Sequence, residues 1–108
     1  MILIFEKGVH SIPVDFETVE ARWRDEGFSF GIFRDPPGQE WNGFVHATDE
    51  YVLVAEGKLQ ISVGQERAVC GPGDLARIPR KVLHSLKTIS DSGSVWLYGY
   101  GNWDDNNE

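Results

Sequence analysis

Residues 38–57 read GQEWNGFVHATDEYVLVAEG. The stretch opens behind a stop, Asp35-Pro36-Pro37-Gly38, and closes on a turn, Glu56-Gly57-Lys58. Between them, Trp41 to His46 reads as a strand rich in aromatic and branched residues. Tyr51 to Ala55 is an unbroken apolar run, the pattern of a strand buried on both faces. Beyond the turn, Leu59, Ile61 and Val63 alternate with Gln60 and Ser62, so one face is buried and the other wet. The turn between two such runs predicts a hairpin.

Working outward, most of the chain repeats this grammar. Phe28 to Arg34 precedes the stretch as a strand. Gly64-Gln65-Glu66 and Gly71-Pro72-Gly73-Asp74 are turns, and Leu75 to Ile78, Val82 to Thr88 and Val95 to Tyr100 are further strands. One helix is expected, from Phe16 to Glu26. Asp15 is its N-cap, Phe16, Val19 and Trp23 form its apolar stripe, and Gly27 ends it. Its narrow stripe suits a helix lying on the outside of a larger body. At least seven short strands, spaced roughly 8–12 residues apart, argue for an antiparallel sandwich or barrel. The chain divides into N-terminal strands and helix (1–36), a central part (37–100) and a polar tail (101–108) expected to fray, all within one domain.

Composition narrows the partners. The chain has 108 residues, 41% hydrophobic and 25% charged, which is globular rather than disordered. The formal net charge is −7, and three of the acids (Asp104, Asp105 and Glu108) lie in the tail. That sign opposes nucleic acid and anionic membrane as partners. No apolar run approaches the ~20 residues of a membrane-spanning helix. A lone cysteine, Cys70, excludes an intrachain disulfide. With no basic, apolar leader at residues 1–7, the expected location is the cytoplasm.

Two of the three histidines stand in company that can do chemistry. His46 precedes Glu50 by four residues, which in an unbulged strand keeps both on one face. His84 follows the later Gly-Asp turn and Pro79. Brought together, two imidazoles and one carboxylate with open positions suit Fe(II), Mn(II), Ni(II) or Zn(II). A hydrogen-bonded core histidine and a glutamate held by an arginine fit the same residues. His10 belongs to no pattern.

The wider spacing resembles the two motifs of the cupin superfamily. Gly38, His46, Glu50 and Gly57 fall where the first motif has glycine, its second histidine, glutamate and glycine. Gly73, Pro79 and His84 fall where the second has glycine, proline and histidine. The resemblance covers residues 38–100 and implies an all-β fold: an antiparallel jelly-roll β-barrel, with the one short N-terminal helix packed outside. It departs at three places. Phe44 replaces the first motif's first histidine, Lys81 a glycine and Thr88 an asparagine. Cupins usually hold metal with three histidines and a glutamate, so the resemblance implies one divalent transition ion on His46, Glu50 and His84. The expected pocket around it comprises Asn42, in phase with Phe44 and His46, then Phe44 itself, Trp96 and Tyr98, with Arg77 available to anchor a carboxylate. Trp41, Tyr51 and Tyr100 are the other aromatics expected nearby. The implied function is a metal-dependent enzyme acting on a small organic molecule. The alternative is a non-catalytic cupin that binds or senses a small sugar-like or carboxylate ligand. A homodimer is expected, because the Tyr51–Ala55 run and the aromatic last strand present more apolar surface than one small barrel covers.

Overall fold

The structure is a computed structural model that describes residues 3–103. Among these the chain runs β1 (Phe5–Glu6), α1 (Phe16–Asp25), β2 (Gly31–Asp35), β3 (Glu40–Phe44), β4 (Asp49–Glu56), β5 (Leu59–Val63), β6 (Glu66–Cys70), β7 (Leu75–Ile78), β8 (His84–Thr88) and β9 (Ser94–Gly101). One sheet has the order β1-β7-β4-β9-β2 and the other β3-β8-β5-β6. Every pairing is antiparallel. From β2 to β5, and again from β6 to β9, each strand lies in the other sheet from the one before it, which makes the fold a jelly roll.

The pleat of β4 explains both halves of the core. Val52 and Val54 point inward and pack with Leu59, Ile61, Ile78 and Trp96 between the two sheets. Tyr51 and Leu53 point the other way and meet Val19, Trp23, Phe28 and Leu97 beneath α1. Trp23 stacks on Tyr51 with ring centroids 5.2 Å apart. The face of β4 expected to lie against a second subunit is therefore covered by the chain's own helix. Tyr51 consequently lies outside the barrel, away from the expected pocket.

The helix follows its sequence signals. Asp15 accepts from the Glu17 amide at 3.1 Å and the Thr18 hydroxyl at 3.0 Å, which satisfies amides that have no partner inside the helix. Glu20 and Arg24 pair at 2.7 Å, one turn apart. The helix stops at Asp25, and Glu26 is its cap.

Three expectations change. The turn Glu56-Gly57-Lys58 makes no hairpin: β4 pairs with β7 and β9, whereas β5 pairs with β6 and β8. The turn carries the chain from one sheet to the other. Only glycine fits its apex, where φ is +81° and a Cβ would strike the Gly93 carbonyl. Phe28 and Phe30 precede β2 and pack under α1 instead of extending the strand. The tail is structured at its start, since Gly101 ends β9 and Trp103 packs on Phe28 and Tyr51; residues 104–108 lie outside the described part.

Candidate metal centre

His46, Glu50 and His84 arrive at one point from both sheets. Glu50 sits near the start of β4 and pairs with Ile78 and Tyr100. His84 opens β8 and pairs with Val63 and Phe44. His46 lies in neither sheet but in the connection between β3 and β4. A shared strand phase thus does not bring His46 and Glu50 together. The connection crosses from one sheet to the other and folds His46 back over Glu50. Its carbonyl is held by the Lys81 amide at 2.8 Å. Lys81 adopts φ +66° there, the left-handed conformation that glycine takes without strain, at a cost of about 1 kcal/mol. That accounts for the glycine expected at this position of the second motif.

The donor atoms of the three residues lie within 4.8 Å of one another. His84 Nε2 is 3.4 Å and His46 Nε2 3.6 Å from Glu50 Oε1. Ligands bonded to one ion at ~2.0–2.2 Å stand roughly 3.0–3.5 Å apart, so both histidines already lie near bonding separation from Glu50. Glu50 Oε1 is buried and has no hydrogen-bond partner among the described residues. His84 Nδ1 lies 3.0 Å from the Val82 carbonyl. It therefore carries a proton, and in the neutral ring Nε2 is left as a bare lone pair facing Glu50. Two acceptors aimed at each other need a cation between them. Burial lowers the His84 pKa, but Glu50 and the Val82 carbonyl outweigh it, and the ring titrates above its ordinary value. In the metal-free chain the His84 ring therefore holds a proton more readily than a free imidazole does.

Asp49, beside Glu50, points to the opposite face. It accepts from the Arg80 amide at 2.8 Å, the Arg80 guanidinium at 2.8 Å and the Trp103 amide at 2.9 Å. Burial raises its pKa, yet these donors outweigh burial and hold the carboxyl below its usual range. This clip ties the first residues of β4 to the loop that leads into His84.

The cavity over the three residues holds about 140 Å³ and is lined by Phe33, Trp41, Phe44, Leu86, Trp96 and Tyr100. Burial, with Glu50 and Tyr98 nearby, pushes the Tyr100 phenol up to about 12, so it stays protonated at neutral pH.

The expected pocket residues divide. Phe44 and Trp96 line the cavity. Asn42 does not: the register shifts between Trp41 and Phe44, Gly43 takes φ +70°, and Asn42 turns outward to Glu40. The bulge inverts the phase and puts Trp41 in its place. Tyr98 packs behind the wall on Phe33, with centroids 4.8 Å apart. Arg77 binds Glu6 at 2.9 Å, away from the cavity. Trp41 and Tyr100, expected nearby, also line it, whereas Phe33 and Leu86 are lining residues the sequence reading did not include. Phe33 faces inward while its neighbours Ile32 and Arg34 are exposed, an alternation that the apolar Ile32 hides in the sequence.

No helix among the described residues is long and apolar enough to cross a membrane. No curated protein matches the sequence. Among solved structures, TT1209 from Thermus thermophilus superposes with a TM-score of 0.63 at 25% identity, over 69% of this chain and 73% of that one. AerE from Microcystis aeruginosa gives 0.65 at 20% identity, over 68% of this chain and 35% of its own. An oxalate oxidase in complex with the substrate analogue glycolate gives 0.65 at 17% identity, over 71% and 43%. The latter two likenesses speak for the fold alone, and this chain spans less than half of either protein. Residues 31–100 match the family described as Cupin domain, and the chain belongs to that family.

Proposed function

We propose that this cupin binds one divalent transition ion through His46, Glu50 and His84 and acts on a small organic molecule in the cavity above it. The observation that carries the reading is the buried, unpartnered Glu50 Oε1 facing two imidazole nitrogens. An orphaned carboxylate oxygen in a nonpolar site is costly unless a cation satisfies it. Iron, manganese, nickel and zinc all suit this donor set, and such an ion supplies Lewis acidity or oxygen activation. Three protein ligands leave positions open for water or a substrate. The chain's own residues shape what happens there. Phe44 stands 6.1 Å from the His46 ring and 6.3 Å from the His84 ring, and excludes water from one side. The Tyr100 hydroxyl donates a hydrogen bond to a bound oxygen while keeping its proton.

Phe44 also favours a second reading: a non-catalytic cupin that binds or senses a small ligand with a reduced metal site. One titration separates the two. Equilibrium dialysis against zinc or manganese is expected to load one ion per chain, and Phe44→His to tighten it by about tenfold or more through a fourth ligand. Occupancy falls as pH drops, because protons compete for the imidazoles. Since the metal-free His84 titrates above its ordinary value, the loss begins above ~6.5. Stability of the metal-free chain runs the other way. The His84–Glu50 contact contributes fully below ~6.5 and is lost as pH rises through the raised folded value. The rise in Tm on adding metal should therefore grow with pH. No loading at pH 8 in parent and Phe44→His alike favours the metal-free binding protein.

Homodimer formation and a cytoplasmic location complete the proposal. Exposed Phe44, Val45 and Leu83 support the first, and sedimentation at micromolar concentration reads it; a monomer mass counts against it. The single buried cysteine suits the second.

A further inference from the structure

The cavity wall has a chemistry of its own. Six of its lining side chains are Phe33, Trp41, Phe44, Leu86, Trp96 and Tyr100. The indole N–H groups of Trp41 and Trp96 both donate to Asp35 Oδ2, each at 2.9 Å, and Asp35 does not line the cavity. The two rings are thereby locked, and they offer the cavity carbon faces only. Phe33 fits between them, with centroids 5.4 Å from Trp41 and 4.9 Å from Trp96. Aromatic faces held in this way suit offset or edge contacts with another flat ring.

Among the described residues no lysine or arginine lines the cavity. Arg77 is engaged by Glu6 and Arg80 by Asp49, both outside it. A divalent ion beside the Glu50 carboxylate would leave one net positive charge, enough for a single oxyanion. A second carboxylate would be desolvated with no further cation to balance its charge. The volume of about 140 Å³ is close to the roughly 150 Å³ of an apolar cavity that takes up benzene.

We infer that the site selects a ligand built from one flat ring, or an apolar body of that size, bearing a single oxygen-anion head, and rejects small dianions. The inference rests on the metal reading for the head group and on the aromatic wall alone for the ring.

Two arms of one binding experiment keep these apart. In the first, the metal-free protein is titrated with phenol, neutral at pH 7, and tryptophan fluorescence is followed. A saturable change is expected, and Trp41→Leu should weaken it by about tenfold. In the second, the zinc-loaded protein is titrated by calorimetry with benzoate, acetate and fumarate. Benzoate should bind at least about tenfold more tightly than either, and Trp41→Leu should remove that margin while zinc stoichiometry stays unchanged. Fumarate binding as tightly as benzoate overturns the inference, as does acetate doing so. Absence of saturable phenol binding overturns it as well. If zinc does not load but phenol binds and Trp41→Leu abolishes it, the metal reading falls and the ring site stands.

Discussion

His84→Ala is expected to lower affinity for zinc or manganese on the order of a hundredfold or more, leaving a histidine and a carboxylate that seldom retain an ion. The effect is large because His84 is doubly committed. It is 2% exposed, and its Nδ1 is fixed on the Val82 carbonyl so that Nε2 can face only Glu50. Removing a buried ring also opens a void, and the variant loses stability apart from any metal. His46→Ala separates the two effects. The His46 side chain is 30% exposed, so its loss should leave the metal-free Tm nearly unchanged while weakening metal comparably. The measurement is elemental analysis after dialysis, alongside Tm with and without added ion. If both variants keep the parent's stoichiometry and its metal-induced rise in Tm, these residues are not the ligands.

The second large effect is expected at a residue that touches no ligand. Asp49→Ala should cost about 2–4 kcal/mol, because it leaves the Arg80 guanidinium and two amides without their common acceptor. The Arg80 side chain is 33% exposed, and water compensates part of the loss, which keeps the figure below that of a fully buried pair. For a chain of this size the fall in Tm is roughly 10–20 °C. Asp49→Asn keeps an acceptor and the shape but loses the charge, and should cost about half as much. Because the clip joins the start of β4 to the loop before β8, metal affinity should fall with stability. A stability change under ~0.5 kcal/mol in Asp49→Ala, the range of an ordinary surface substitution, would show that the clip does not hold the site.

Much of this protein is local in origin and legible in the chain. The helix is set by Asp15 and by the spacing of Val19 and Trp23, the sites of capping and of burial. The strands follow from alternation and from glycine and proline stops, because side-chain period and backbone freedom are properties of neighbours in sequence. The spacing of Gly38, His46, Glu50 and Gly57, and of Gly73, Pro79 and His84, carried both the family and the trio that meets at the site. What tertiary structure decided lies where the chain changes sheets or breaks phase. Two adjacent apolar runs read as a hairpin, yet β4 and β5 part, because partners for a strand come from distant segments such as Leu75–Ile78 and Ser94–Gly101. Asn42 read as facing the pocket, yet one bulge at Gly43 inverts everything before it and admits Trp41. Arg77 is claimed by Glu6, 71 residues away. The apolar face of β4 looked like an interface until α1, contributed by residues far upstream, covered it. Periodicity tells which side chains share a face over a few residues. Which face is inside, and what lies across from it, depends on contacts between segments that no local pattern encodes.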